Sequence, residues 1–103
     1  MAGIKIEWSL EARTDLVDIL EFYIKRNGNS AYSKKLYIRI NKSIILLVRN
    51  PHLGKKTEDP SVRILITGDY QIIYELFDKL ILIIMVWDTR RNPEDKKYDL
   101  RKR

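Results

Sequence analysis

The sequence has no cysteine and only one histidine, His52, in its 103 residues. The first absence excludes disulfides and thiolate chemistry and suits a reducing compartment, so a cytoplasmic setting is expected. The second leaves no plausible Ser/His/Asp arrangement, and no His, Asp and Glu set stands at metal-ligand spacing. A glycine-rich phosphate loop is also missing. Neither a metal nor a small-molecule cofactor is therefore expected. The longest uninterrupted apolar run, Leu80 to Trp87, falls far short of the roughly 20 residues a membrane span needs. The start, Met1-Ala2-Gly3-Ile4-Lys5, has no apolar stretch behind a basic beginning, so neither a secretory signal nor a membrane partner is expected. Acidic residues are absent from Phe22 to Thr57, which holds nine lysines and arginines.

The chain is long enough for one compact domain, residues 1–103, and too short for two. Its formal net charge is +6, and the charge is unevenly spread. Val62 to Asp88 is slightly acidic, whereas the tail from about residue 89 carries seven basic residues against three acidic ones. Such clustering predicts a polyanionic partner, either nucleic acid or an acidic protein.

Ile4, Ile6 and Trp8 alternate with Lys5 and Glu7, the period of a strand with one buried face. Ser9 stands where a helix N-cap is wanted, with acidic residues early in the following segment, Lys25 and Arg26 late, and Asn27-Gly28-Asn29 as a stop. Ala12, Leu16, Ile19, Leu20, Tyr23 and Ile24 form its apolar stripe. A second helix, capped by Asn29 or Ser30, is expected to run to about Asn50, where Pro51 disfavours helical geometry. Its stripe is Leu36, Ile40, Ile44 and Leu47, widened by Tyr37, Ile45 and Val48, which predicts contact with both the sheet and the first helix. Residues 51–61 read as a loop. Strands at 62–67, 70–77 and 80–88 follow, separated by Gly68-Asp69 and Asp78-Lys79. The order β-α-α-β-β-β predicts an α+β domain, with an antiparallel helical hairpin on one face of a mostly antiparallel four-stranded sheet. Alternation is expected to place Arg63, with Leu65 and Thr67, on the uncovered face. There it either pairs with Glu75 across the sheet or binds phosphate.

Several segments together resemble the RelE/ParE toxin superfamily along nearly the whole chain: Ile6-Glu7-Trp8-Ser9, the helix from Asp15-Leu16 to Tyr23, Asn50-Pro51-His52-Leu53-Gly54, Val62-Arg63-Ile64-Leu65, Tyr70-Gln71-Ile72-Ile73-Tyr74, and Val86-Trp87-Asp88-Thr89-Arg90-Arg91-Asn92-Pro93. The resemblance implies the toxin of a bacterial type II toxin-antitoxin pair, neutralised by a cognate antitoxin that wraps around helices and sheet. RelE-like members cleave messenger RNA on the ribosome, using cations on the open sheet face and a C-terminal tyrosine or histidine. ParE-like members inhibit DNA gyrase and need no nuclease site.

Metal-free RNA cleavage is chemically open to such a chain, because the ribose 2'-hydroxyl is its own nucleophile and the protein need only orient it and stabilise charge. Carried over residue by residue, Arg63, Arg90 and Tyr98 match the catalytic pattern, with Arg91 as the alternative to Arg90. Lys55, Lys56, Gln71 and Arg91 are the candidate substrate-binding residues. Leu65 and Gln71 stand where the cleaving members carry cations, and Gln71 hydrogen-bonds a phosphate without neutralising it. The sequence thus leads to ribosome-dependent messenger cleavage as the first reading. A non-enzymatic gyrase inhibitor is the second, and a decayed toxin that only binds its antitoxin is the third.

Overall fold

The computed structural model describes residues 3–91. The N-terminal alternation forms strand β1, Lys5–Trp8. Ser9 then caps helix α1, Leu10–Asn27: its hydroxyl accepts from the Ala12 amide at 3.0 Å and donates to the Ile84 carbonyl at 3.0 Å. One side chain therefore both starts the helix and ties it to the last strand. Gly28 ends α1 with φ 76°, a left-handed conformation that costs glycine little. Helix α2, Ala31–Arg49, follows after one turn. Asn29, rather than Ser30, supplies its side-chain acceptor, to the Ala31 amide at 3.0 Å.

Strands β2 (Lys55–Lys56), β3 (Val62–Thr67), β4 (Tyr70–Phe77) and β5 (Leu80–Asp88) complete a five-stranded sheet of order β1-β5-β4-β3-β2. The three long strands fall where alternation and turn residues predict. The fifth strand is a correction: residues 51–61 are not all loop, because Lys55 and Lys56 pair with Ile64 and Arg63 at the edge of β3. Two exposed lysines carry no strand periodicity, so only the neighbouring strand reveals them. β1 lies parallel to β5 and every other pairing is antiparallel.

Both helices pack on one face of this sheet, where Ala12, Leu16, Ile19, Leu36, Ile40, Ile44 and Leu47 bury against Leu65, Tyr70, Ile72, Tyr74, Ile81, Ile83 and Val86. The widened stripe of α2 does not follow the expectation: Tyr37, Ile45 and Val48 are exposed. The hairpin partner and the sheet together cover only the Leu36–Leu47 side. Val62, Ile73, Met85 and Trp87 form a second cluster on the opposite face.

A register shift between β4 and β5 decides which side chains reach the helices. Ile73 pairs with Met85 but Tyr74 pairs with Ile83, so Ile84 is an extra residue, a β-bulge. Strict alternation after Ile81 and Ile83 would put Met85 and Trp87 toward the helices. The bulge instead turns Val86 and Asp88 that way and sends Met85 and Trp87 to the other face. Asp15 of α1, buried, accepts from the Val86 amide at 3.1 Å, satisfying a backbone donor beyond the last β1 pairing at Ile83.

Candidate functional site

The two arginines favoured by the sequence lie at opposite ends of the sheet, and each is held by its own set of partners. Arg63 sits in β3 opposite Tyr74, with Leu65 and Thr67 on the same side. That side is the helix-covered one: Tyr74 and Leu65 belong to the helix-packed core, and the Thr67 hydroxyl accepts from Arg39 of α2 at 3.3 Å. The expected placement on the open face is therefore wrong, because the side that β3 turns to the helices is fixed by its pairing with β4. The Glu75 alternative fails as well. Val62, not Arg63, stands opposite Glu75, whose carboxylate accepts from Ser61 at 3.0 Å.

Arg63 instead clamps the Pro51-His52-Leu53-Gly54 turn. Its Nη1 donates to the His52 carbonyl at 3.1 Å and the Gly54 carbonyl at 2.8 Å. Tyr74 holds the same turn from beneath, donating to the Pro51 carbonyl at 2.8 Å and accepting from the Gly54 amide at 2.9 Å. A side chain on Gly54 would meet the Tyr74 hydroxyl at 2.7 Å and the Ile64 carbonyl at 2.9 Å, so the close approach requires glycine. Burial raises the Tyr74 pKa, partly offset by the Gly54 hydrogen bond and by Arg63. The Pro-x-x-Gly segment, the arginine of β3 and the second tyrosine of β4 thus form one structural unit.

Arg90 occupies a different environment, a cage of three tyrosines and two aspartates. Its Nη2 lies 3.0 Å from the Tyr23 hydroxyl, 2.8 Å from Tyr32 and 2.6 Å from Tyr70. A guanidinium Nη carries two hydrogens, so the three oxygens share them. Nε lies 3.5 Å from Asp69 and 3.7 Å from Asp88. Asp88, only 5% exposed, accepts from Tyr23 at 2.7 Å and from the Arg90 amide at 3.0 Å. Tyr32 and Tyr70 share a further hydrogen bond of 2.7 Å. The guanidinium carbon also lies 5.3–5.9 Å from the three ring centres, within cation–π range.

The electrostatics of the cage follow from this geometry. The Tyr32 hydrogen bond, against the opposing effect of burial, raises the Arg90 pKa further. Burial first, then the hydrogen bond to Asp88, raises that of Tyr23. Burial and the Tyr32 hydrogen bond raise Tyr70 strongly. Tyr23 and Tyr70 therefore stay neutral and the guanidinium stays charged, with two carboxylates beside it.

The remaining candidates are dispersed. Lys55 and Lys56 are exposed at the β2 edge. Gln71 lies on the face away from the helices, between Ile66 and Trp87 in register. Arg91 stacks on Phe22, its guanidinium carbon 4.2 Å from the ring centre. Tyr98 lies outside the described residues. Along β4, Arg63 is level with Tyr74 and the cage begins at Tyr70, a separation of four residues or about 13 Å. The two guanidinium groups share no partner residue. The cage tyrosines and Asp88 were not among the sequence candidates. Tyr23, Tyr70 and Asp88 each sit in a recognised segment, but Tyr23 and Asp88 are 65 residues apart and only the fold joins them.

A further surface lies along α2. Exposed Ile38, Ile45 and Leu46 are flanked by Lys35, Arg39 and Lys42, and a groove leads on past Leu53 and Lys55 to Ile66 of β3. Among the described residues, no helix is long and apolar enough to cross a membrane.

Residues 6–93 match the model of the ParE toxin of type II toxin-antitoxin systems, parDE. No curated protein gives a significant match. Among solved structures, the chain is similar to one from the chromosomal ParDE system of P. aeruginosa, at 24% identity and a TM-score of 0.70 over 82% of this chain and 94% of that one. It also resembles a chain of the RelBE2 toxin-antitoxin complex of Mycobacterium tuberculosis (19% identity, TM-score 0.61, 85% and 93% covered). A third similar structure is the E. coli DinJ-YafQ complex (15%, 0.54, 85% and 94%). At these identities the structures establish a shared fold.

Proposed function

Because the chain belongs to the ParE toxin family of type II toxin-antitoxin systems, we propose that it acts by binding a protein target, DNA gyrase, and not by cutting messenger RNA. The observation that carries this reading is the separate engagement of Arg63 and Arg90. Arg63 holds a turn through backbone carbonyls, and Arg90 is compensated by carboxylates and phenols about 13 Å away along β4. Stabilising a phosphorane needs cations aimed together at one point. Gln71, on the other face, adds no charge to either arginine. This reverses the order of the two readings drawn from the sequence.

The partner that neutralises the toxin is a cognate antitoxin, and proteins of the same fold occur in solved toxin-antitoxin complexes. The outer face of α2 supports this reading. Ile45 is 63% exposed, Leu46 56% and Ile38 55%, beside three cations and no acidic residue from Ala31 to Arg49. An acidic amphipathic segment would bury the apolar residues and pair with the rim.

The test places the purified chain in a gyrase supercoiling assay and, in parallel, on programmed ribosomes with the messenger ends mapped. Supercoiling is expected to stop and the messenger to stay intact. Messenger cuts that vanish in Arg63→Ala together with Arg90→Ala, with gyrase unaffected, would overturn the proposal.

A further inference from the structure

The sheet ends in β2 at one edge and in β1 at the other. Seven of the chain's cations stand on α2 and β2, toward the first edge, where Arg39 of α2 reaches Thr67 of β3. The β1 edge is built differently. Lys5 and Ser9 donate their amides to the Lys79 and Ile83 carbonyls of the β5 side, at 3.0 and 2.9 Å, and in a parallel ladder alternate residues face the same neighbour. Ile4, Ile6 and Trp8 therefore turn their amides and carbonyls to the outer edge of the sheet. Their side chains are half-buried and pack against the helix-side core, while Lys5 and Glu7 are exposed on the other face. An edge strand with outward backbone groups is a template for another strand. Its side chains decide which strand is accepted.

We propose that β1 pairs with β1 of a second copy of this chain, antiparallel, about a two-fold axis at Ile6. The strand is complementary to itself in that register. Ile6 meets Ile6 of the partner subunit, Ile4 meets Trp8 of the partner subunit and Trp8 meets Ile4 of the partner subunit, which gives about six backbone hydrogen bonds. Lys5 then stands directly opposite Glu7 of the partner subunit, and Glu7 opposite Lys5 of the partner subunit, a favourable cross-strand pair made twice. On the helix side the half-buried Ile4, Ile6 and Trp8 of both copies close into one apolar strip. The helices leave room for this. Ser9, Asp15 and Tyr23 all bond to β5, so α1 lies over β5 and does not overhang β1. Three strand spacings, roughly 14 Å, separate β5 from its counterpart in the pair, more than the about 8–10 Å at which helices pack. Neither α2 nor the Arg90 cage takes part, so the pairing holds whichever target the toxin inhibits. The two copies share one continuous sheet, carry their basic α2 faces away from the common edge and can hold two antitoxin segments at once.

The test measures self-association of the full chain by sedimentation equilibrium, together with oxidative cross-linking of single cysteines, for which a sequence without cysteine is a clean background. The parent chain is expected to dimerise as its concentration rises. Lys5→Glu and Glu7→Lys each set like charges opposite one another twice, and each is expected to weaken the dimer about tenfold. The two substitutions combined restore opposite charges and are expected to recover it. Ile6→Pro removes an outward amide and spares the bonds to β5, so the variant is expected to stay folded in a thermal scan and to lose the dimer. Ile6→Cys is expected to cross-link to its own copy, because a hydrogen-bonded antiparallel pair stands about 5.5 Å apart, within disulfide range. Glu7→Cys, which is offset from its own copy, is expected not to. A parent chain that stays monomeric up to about 1 mM overturns the proposal. So does a dimer that both single charge variants leave unchanged, or one that the combined variant fails to restore. Cross-linking of Glu7→Cys as complete as that of Ile6→Cys overturns the register and the two-fold axis with it.

Discussion

At one end of the sheet an arginine is bound by the backbone of a single turn; at the other, an arginine is bound by side chains from five parts of the fold. Arg63 donates to the carbonyls of His52 and Gly54, and its removal leaves a loop to rearrange. Arg90 lies among Tyr23, Tyr32, Tyr70, Asp69 and Asp88, so its removal unties helices from strands. Both residues fit a phosphate-binding pattern when read as letters. Their partners make one a local clamp and the other a junction, and in both cases the guanidinium is engaged within the fold. An arginine's role therefore depends on what compensates it, and that depends on residues far away in the chain.

The comparison is broken most strongly at Gly54. Gly54→Ala drives a methyl group into Tyr74 and the Ile64 carbonyl, and a loss of about 3 kcal/mol is expected in urea unfolding. The Arg90 cage should keep its tyrosine titration, which shows that the two ends are independent. Next comes Asp88→Ala, which strips the Tyr23 hydroxyl and the Arg90 amide of their acceptor. About 2 kcal/mol is expected by the same measurement. Tyr74→Phe leaves the Gly54 amide and the Pro51 carbonyl without their partner, and about 1.5 kcal/mol is expected. A smaller effect for Asp88→Ala than for Tyr74→Phe would contradict the view of the cage as the junction.

The smallest effect is set by pH and touches both ends. Tyr23, Tyr70 and Tyr74 all have folded pKa values raised above 10.0, with burial the leading cause. Above that value the unfolded chain releases phenolic protons that the folded chain retains. Their contribution to stability is thus complete below pH 10 and is lost as pH rises toward the folded values. Urea midpoints should fall between about pH 9 and about pH 11, and phenolate absorbance should show these three tyrosines still largely protonated at about pH 10. Early ionisation of Tyr70 would argue against the cage.

Much of the architecture was legible from local chemistry. Alternation and the turns Gly68-Asp69 and Asp78-Lys79 mark the bounds of β3, β4 and β5, and Ser9 and Gly28 mark the ends of α1. The candidate site was much less legible. Arg63 and Arg90 were visible as cations but their surroundings were not, Gln71 proved to lie on the other face, and β2 consists of two lysines that only β3 makes a strand.

The sequence by itself determined the long elements and their order, the ends of α1, the Leu36–Leu47 stripe of α2 and a family of toxins, because each depends on residues within a few positions of one another or on a pattern along the chain. Which face each functional side chain occupies was decided only by tertiary structure. One extra residue at Ile84 shifts the pairing of β5 against β4 and turns Asp88 toward Tyr23. A period of two is reset by any single-residue bulge, and the partner strand that creates the bulge is not encoded next to it. The cage around Arg90 exists because of that shift.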